Sequence, residues 1–382
     1  MPVADPLPRT DPLSGIPLSA TDPLVHPAPP SPPPARLHAV PLRLTKHHGL
    51  GNDFLVHVVS QDDGSAAAGD SPFSPDDGAR LAVAVCDRHR GIGADGLLLA
   101  LAPPADGTAD LTMRLHNADG SVAEMSGNGI RCFVQACVRA GLAEPGTVRV
   151  ATDAGLRIVD ISADDEHGVA AVRVDMGVAA VSSIPLPVAA TAAFGAGALQ
   201  EAAGVRARFD HDGSGPVGDT PLLPGAIPDC VDRARLPLTV DLGNPHIVFA
   251  GDLTGAGRPL LADLGGRHGM GATLQAIYAD LYGGINVEVV GPPPSPDDPG
   301  RPPVDLEMSV YERGVGVTQA CGTGVCAAAV AARRWGLSGD RAVVRQRGGD
   351  AIVELGPDGP LVPVTLVGPT QFVAALEFPW RG

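Results

Sequence analysis

The sequence predicts an α/β protein with two similar halves, each of which points the N-terminus of one helix at a shared site. The first observation is an alanine-rich run that follows Cys-Gly-Thr-Gly at residues 321–324 and stops at Gly336. The second is another helical run, after Ser-Gly-Asn-Gly at residues 126–129 and before Gly141. The third is the tripeptide Leu-Gly-Asn, which precedes each run. The parallel order of these turns indicates a duplicated domain.

When the two halves are aligned on these turns, Ser126 aligns with Cys321. Gly127 then aligns with Gly322, and Gly129 with Gly324. Alanine, arginine and leucine favour helix, and a glycine after the last turn ends it. The free N–H groups at a helix N-terminus attract anions and lower the pKa of a thiol. We therefore expect Cys321 to reach the thiolate form at neutral pH.

Alternating apolar residues and glycine-rich turns predict the remaining elements in order. The first half has strands at 41–44, 55–59, 97–101, 113–116, 147–150, 156–161 and 170–174, a glycine-rich turn at 47–54 and a helix at 76–89. The second half begins near Asp175 and has strands at 238–241, 247–250, 287–290, 306–311, 342–345, 351–354 and 362–367. Residues 1–40 are proline-rich and predict a disordered tail, and residues 191–235 predict an elaborated surface segment.

The composition narrows the possible classes of protein. The 382 residues suffice for two domains, and the net charge of −16 argues against nucleic-acid binding. No apolar run is long enough to span a membrane, and a signal peptide is not expected. Six cysteines without a disulfide pattern favour a reducing cytoplasm. Lys46 is the only lysine, which disfavours a pyridoxal phosphate enzyme, and the spacing of the histidines fits no standard metal site.

The two glycine-rich helix starts offer backbone N–H groups to one carboxylate, as an oxyanion hole does. Such a site stabilises the charge that builds when an amino acid loses its α-proton, with Cys321 as one acid–base group. Glu312 and Arg313 add a carboxylate and a cation, and amide contacts come from Asn52, Asn117, Asn244 and Asn286. Each motif alone also has a simpler structural interpretation. Asparagines often form turns, and cysteine is a common core residue. Arg313 alone would be a surface charge, and His246 alone a loop residue.

Six stretches taken together resemble the diaminopimelate epimerase family, from about Lys46 to the C-terminus. They lie at 48–54, 117–121, 126–129, 243–246, 312–314 and 321–324. The resemblance implies two pseudo-symmetric α/β (α+β) domains, each a mainly antiparallel, barrel-like sheet around a central helix, with the active site in the cleft between them. The domains implied are 41–175 together with 367–382, and 176–366, with a final strand near 371–378 that returns to the first domain.

The same resemblance implies epimerisation of LL- to meso-diaminopimelate at Cα, on the route to lysine and peptidoglycan, with no cofactor and no metal. Cys321 and Ser126 stand at the two catalytic positions, and His246 and Glu312 tune the acid and the base. Substrate contacts are implied for Asn52, Asn117, Gly127, Asn128, Asn244, Asn286, Glu312, Arg313, Gly322 and Thr323. We expect a cytoplasmic homodimer that binds a small amino acid and neither nucleic acid nor a membrane.

Ser126 is the main departure from the family, which normally carries a cysteine on each helix end. A serine hydroxyl is far less acidic than a thiol and seldom acts as a free base. Gly96 is a smaller departure, because some relatives place a glutamine there. Two alternatives stay open. The first is a racemase, epimerase or dehydratase of the same superfamily that acts on proline-like or hydroxyproline substrates, a group in which a hydroxyl residue such as Ser126 is compatible with activity. The second is a catalytically weakened amino-acid-binding homologue.

Overall fold

The computed structural model describes residues 40–58, 75–182, 232, 235, 237–251, 269–278, 284–293 and 303–380. Within these ranges, sixteen strands form one continuous sheet and four helices pack on it. The predicted tail up to residue 39, and all but two residues of the predicted 191–235 segment, lie outside the described residues. No helix in the described ranges is both long and apolar enough to cross a membrane.

The first half comprises strands β1 to β8 and two helices. The strands are β1 (Val40–Gly49), β2 (Asn52–His57), β3 (Gly96–Leu101), β4 (Leu111–Asn117), β5 (Val122–Ala123), β6 (Gly146–Thr152), β7 (Gly155–Ile161) and β8 (Val169–Ser182). The helices are α1 (Pro75–Cys86) and α2 (Gly127–Arg139).

The second half comprises strands β9 to β16 and the other two helices. The strands are β9 (Leu238–Asp241), β10 (Pro245–Ala250), β11 (Asn286–Gly291), β12 (Leu306–Glu312), β13 (Gly316–Val317), β14 (Arg341–Gln346), β15 (Gly349–Leu355) and β16 (Leu361–Trp380). The helices are α3 (Met270–Ile277) and α4 (Gly322–Arg334).

The strand pairing shows that β9–β16 repeat the arrangement of β1–β8. In each half the first strand pairs antiparallel with the second, and the second pairs parallel with the third. The third strand pairs antiparallel with the fourth, which then runs parallel to the sixth. Helices α1 and α3 stand at the same point, between the second and third strands. The duplication that the turns predict is therefore confirmed by the pairing of the strands.

Each half surrounds one central helix with its strands. Helix α2 packs against β1, β2 and β16, and helix α4 packs against β9, β10 and β11. Both helices are buried from their first residue to the third turn. Both end in the predicted way, because Gly141 and Gly336 adopt φ values of 74° and 70° and reverse the chain. These two helices form the centres of the two halves and fix where their N-termini point.

Strand β16 differs from the prediction of separate strands at 362–367 and 371–378. It is one continuous strand that pairs with β15, β8 and β1 in turn, and so runs through both halves. Glycine and proline at 368–369 suggest a break in the sequence. Instead, Gly368 is needed for packing, because a Cβ there would lie 2.7 Å from the guanidinium of Arg131. The glycine marks a close approach within the strand rather than its end.

Two further elements differ from the sequence-based expectations. The predicted turn at 47–54 is shorter, because β1 continues to Gly49 and only Leu50 and Gly51 adopt positive φ values, 56° and 83°. Helix α3 has no counterpart among the predicted elements. Its second residue, Gly271, leaves room for the ring of Tyr311, which would lie 2.2 Å from a Cβ at this position. Glycine lowers the helix signal here although packing requires it.

Candidate active site

The N-termini of α2 and α4 meet at the centre of the molecule. A Cβ added to Gly322 would lie 2.8 Å from Cα of Gly127, and one added to Gly127 would lie 3.2 Å from Cα of Gly322. The two backbones are therefore in contact, and no side chain fits at either position. Each helix end carries unpaired N–H groups and a partial positive charge. Two such ends side by side form a strong binding site for one carboxylate.

Ser126 and Cys321 cap the two helices in the same way. The Ser126 hydroxyl accepts a hydrogen bond from the N–H of Gly129 at 3.0 Å. The Cys321 sulfur accepts one from the N–H of Gly324 at 3.3 Å. Both capping residues have extended backbones, as N-caps do. The hydroxyl and the thiol are thus structurally equivalent groups on the two helix ends.

A cleft of about 820 Å³ opens beside the two helix ends. Its walls bring together most of the predicted site residues: Asn52, Asn117, Ser126, Gly127, Asn244, Asn286, Glu312, Arg313, Cys321, Gly322 and Thr323. Two predicted residues lie behind the walls, since Asn128 is 1% exposed and His246 is 0% exposed. These two residues contact side chains behind the cleft and do not line it.

Asn128 belongs to a hydrogen-bond chain that starts at a buried cation. Arg131 is fully buried, and its Nη2 donates to Asn128 Oδ1 at 2.6 Å. The amide of Asn128 donates in turn to Asn52 Oδ1 at 3.1 Å, and Asn52 donates to Asp95 at 2.7 Å. Burial lowers the pKa of Arg131 to about 10, so its guanidinium is still charged at neutral pH. This chain fixes the amide of Asn52 in the cleft and places a positive charge behind α2.

The thiol of Cys321 is protonated at neutral pH, which corrects the expectation of a thiolate. Burial raises the pKa of Cys321 well above its usual value, and the nearby carboxylates of Glu312 and Glu288 raise it further. The hydrogen bonds from Thr323 and Gly324 favour the thiolate, but they do not offset burial and charge. A prediction from the helix end alone misses the carboxylates, because β11 and β12 bring them from elsewhere in the chain.

Glu312 lines the same cleft as Cys321. Its carboxylate accepts a hydrogen bond from the Thr318 hydroxyl. Burial raises the pKa of Glu312, and the neighbouring Thr318 and Cys321 offset this effect only in part. A carboxylate with a raised pKa is a stronger base than an exposed one. Glu312 is therefore a better proton acceptor for a neighbouring thiol than an exposed glutamate would be.

His246 and Glu288 form a buried pair behind α4. Nδ1 of His246 lies 2.7 Å from Oε1 of Glu288, and both side chains are 0% exposed. The other polar atoms of the pair, Nε2 of His246 and Oε2 of Glu288, have no hydrogen-bond partner among the described residues. Glu288 is not among the sequence-predicted site residues. Its sequence signal is a single carboxylate in an otherwise apolar strand. Glu288 lies two residues after Asn286, within Val-Glu-Val-Val of β11.

The first half has no ionisable group at the equivalent positions. The strand registers pair Phe54 with Gly96 in the first half and His246 with Asn286 in the second. Leu98 follows Gly96 by two residues, as Glu288 follows Asn286. The last residue of β4 is Asn117, whereas the last residue of β12 is Glu312. Phenylalanine, leucine and asparagine thus stand in the first half at the positions that the histidine and the two glutamates occupy in the second.

Gly96 cannot be replaced by glutamine without rearrangement. A Cβ at Gly96 would lie 2.8 Å from the carbonyl oxygen of His116 and 3.2 Å from the ring of Phe54. The phenylalanine ring therefore occupies the space where a longer side chain at position 96 would start. The departure from the glutamine of some relatives is a packing adjustment to Phe54.

Gly96→Ala is expected to lower the free energy of unfolding by about 1–3 kcal/mol, the usual cost of overpacking a filled core. Gly339→Ala is the matched control, because nothing lies within 4 Å of a Cβ at that position. Urea denaturation of both variants checks the prediction. Equal stability of the two variants would show that the core around Phe54 adjusts freely.

A charged cluster extends the wall of the cleft in the first half. Arg88 pairs with Asp53 at 2.6 Å and with Asp95 at 2.8 Å, and Lys46 pairs with Asp53 at 2.8 Å. These ion pairs fix Asp95, which in turn holds the amide of Asn52. The cluster was not predicted, because its members are separated along the sequence and meet only when β1, β2 and α1 assemble.

The fold resembles the solved structures of a hydroxyproline epimerase and of a probable proline racemase. A hydroxyproline epimerase from Agrobacterium vitis, solved with bound trans-4-hydroxy-L-proline, aligns over 90% of this chain and 93% of its own with a TM-score of 0.56 and 17% identity. A probable proline racemase from Agrobacterium radiobacter aligns over 88% of this chain and 92% of its own with a TM-score of 0.55 and 16% identity. These likenesses show the fold class.

Sequence comparison then defines the family. The diaminopimelate epimerase family model matches residues 44–181 and 271–373. A diaminopimelate epimerase from Pelotomaculum thermopropionicum is 33% identical over 341 residues, which cover 89% of this chain and 100% of that protein. One from Desulforudis audaxviator is 35% identical over 333 residues, covering 87% and 97%. The chain belongs to the diaminopimelate epimerase family and is an isomerase.

Proposed function

We propose that this protein interconverts LL- and meso-diaminopimelate by moving a proton at Cα, without a cofactor. The observation that carries the proposal is the meeting of two helix N-termini whose capping residues, Cys321 and Ser126, flank one point in the cleft. The relatives named diaminopimelate epimerase, which align over nearly the whole chain, support the choice of substrate. Through that substrate the reaction contributes to lysine and peptidoglycan synthesis.

The helix ends bind the carboxylate next to the reacting carbon. When the α-proton leaves, negative charge spreads onto this carboxylate, and N–H groups aimed at it stabilise the transition state. The buried Arg131, one turn along α2, adds positive charge behind the same point. The second amino-acid group of the substrate then extends along the cleft to Asn117, Asn286 and the Glu312–Arg313 pair.

Proton transfer takes place on two faces of the bound carbon. On one face, Glu312 accepts the proton of the Cys321 thiol, and the thiolate then removes the α-proton of the substrate. On the other face, the Ser126 hydroxyl or a water that it holds returns a proton and is reprotonated by solvent, while Glu312 releases its proton to solvent. In the reverse direction, the protonated thiol of Cys321 is the donor, which agrees with its raised pKa. Inversion results because the proton leaves one face and arrives on the other.

The test is an assay with LL-diaminopimelate in deuterated water that contains a chelator. NMR spectroscopy follows the loss of the Cα–H signal and the appearance of the meso isomer. We expect both, with a single α-hydrogen of each molecule exchanged at early times. Neither exchange nor conversion would indicate an amino-acid-binding homologue without activity. Exchange of proline or trans-4-hydroxy-L-proline, in the absence of exchange with diaminopimelate, would indicate the alternative racemase or epimerase.

We further propose that the protein acts as a homodimer in the cytoplasm. The five cysteines among the described residues carry free thiols, as expected of a chain in a reducing compartment. Light scattering on the purified protein, run with and without reductant, measures the mass. A monomer under both conditions would contradict the dimer.

A further inference from the structure

The two halves differ most in one buried pair. The first half has Phe54 on β2 and Leu98 on β3. At the equivalent positions, the second half has His246 on β10 and Glu288 on β11. Phe54 and Leu98 are buried apolar residues, so the site itself can be filled without any charge. A fully buried carboxylate costs several kcal/mol unless it has partners. The fold does not require the histidine–glutamate pair, and its presence on one side only needs a functional reason.

The pair is close to the thiol of Cys321. A Cβ placed on Gly324 would lie 2.8 Å from Glu288 Oε1 and 3.2 Å from Cys321 Sγ. Both atoms are thus near the same point, which limits their separation to about 6 Å. At this distance in a buried environment, charges interact strongly. The raised pKa of Cys321, to which Glu288 contributes, agrees with this closeness.

The bond between the two side chains orients the imidazole. An ionised carboxylate only accepts hydrogen bonds, so the proton between Nδ1 and Oε1 is carried by His246. The ring is then held in one orientation, with Nε2 buried and left without a protein partner among the described residues. Buried polar atoms are nearly always hydrogen-bonded, and an unpaired one calls for an explanation, of which a catalytic role is one.

We propose that Glu288 is a positioning residue for the Cys321 half of the reaction: it holds the imidazole of His246 in one orientation and places its own charge beside the thiol. Glu288 does not line the cleft and does not contact the substrate. It acts through His246 and through its charge on the thiol. The kinetic part of this inference rests on the proposed epimerase function, whereas the coupling of Glu288 to the thiol does not.

The chain itself supplies the variants for the test. Glu288→Leu places in the second half the residue that the first half has at position 98, so a folded protein is expected. Glu288→Gln keeps an oxygen that accepts the Nδ1 proton but removes the charge. The double variant His246→Phe with Glu288→Leu reproduces the apolar pair of the first half. Circular dichroism and thermal unfolding identify any variant that does not fold.

The first measurement needs no substrate. Alkylation of Cys321 by iodoacetamide at one fixed pH reports how much thiolate is present, and mass spectrometry identifies the modified residue. Because the Glu288 charge disfavours the thiolate, Glu288→Gln and Glu288→Leu should be alkylated several times faster than the parent protein. An unchanged rate in both folded variants would show that Glu288 is not coupled to the thiol and would overturn the proposal.

The second measurement follows Cα–H exchange of diaminopimelate. Glu288→Leu should lower kcat about tenfold or more and change KM by less than about twofold, because a general acid–base group loses its orientation while the cleft is unchanged. Glu288→Gln should recover most of kcat. The double variant should be no slower than His246→Phe alone. Additive losses, or an equal loss in Glu288→Gln and Glu288→Leu, would contradict positioning. If the parent protein does not exchange diaminopimelate, the proposed function fails while the alkylation result stands.

Discussion

Cys321→Ala is expected to lower both Cα–H exchange and net inversion by about three orders of magnitude, within the range for loss of a general acid–base group. Among the described residues, the thiol is the group that is placed both at a helix end and beside the carboxylate of Glu312. Its loss removes the donor and the acceptor for that face at once. Deuterium exchange and the conversion assay, run side by side, measure the two rates.

Cys321→Ser is the matched control for this prediction. Serine keeps the cap on Gly324 and resembles the residue that already caps α2, so the fold should be retained. The hydroxyl is too weak an acid to replace the thiol, so the rates should fall nearly as far as in Cys321→Ala. If Cys321→Ser kept a tenth of the parent rate, the thiol would not be the proton carrier and Glu312 would have to act on the substrate directly.

The arrangement of the site could be predicted from the sequence to the extent that it depends on local turns. The Gly-Asn-Gly and Gly-Thr-Gly stretches define the helix starts, and their spacing from Gly141 and Gly336 defines the helix ends. The structure has these ends where they were predicted, with Ser126 and Cys321 as the equivalent caps. Local capping chemistry is encoded within a few residues and is therefore visible in one sequence.

The charge state of the site could not be predicted in this way. The thiol was expected to ionise because it stands at a helix N-terminus, yet its pKa is raised by burial and by Glu312 and Glu288. The depth of burial depends on how β10, β11 and β12 pack around α4. Glu288 in particular lies within an apolar strand, where its partner His246 becomes apparent only from the parallel pairing of β10 with β11. Long-range packing sets these electrostatic properties.

The duplication also explains how the two halves acquired different chemistry. The backbone of each half provides a helix end, a cap and a wall of strands, and these features are shared. The side chains at equivalent positions differ: Asn117 against Glu312, Phe54 against His246, and Ser126 against Cys321. One half thus has the buried cation, Arg131, whereas the other has the buried His246 and Glu288 behind its cap. The asymmetry predicts unequal proton transfer on the two faces of the substrate.

Ser126 gives the clearest test of that asymmetry. Its hydroxyl has no carboxylate or histidine at the positions that Glu312 and His246 occupy in the other half, so it cannot readily become a base. We expect the isomer whose α-hydrogen faces Cys321 to exchange with deuterated solvent faster than it inverts. The opposite isomer should exchange slowly, because its α-hydrogen faces the serine. Comparing both isomers in one NMR experiment gives the ratio directly.

Two substitutions at this position separate a weak proton donor from a capping residue. Ser126→Ala should leave exchange on the Cys321 face within about threefold but lower net inversion about tenfold to a hundredfold, because the donor on the second face is lost. The lost cap on Gly129 should cost about 1 kcal/mol of stability, measured by urea denaturation. Ser126→Cys keeps a capping group and should raise net inversion above the parent rate. Its gain should be limited, because Phe54 and Leu98 offer the new thiol no base. If Ser126→Ala inverts as fast as the parent protein, Ser126 is only a cap, and a water in the cleft delivers the second proton.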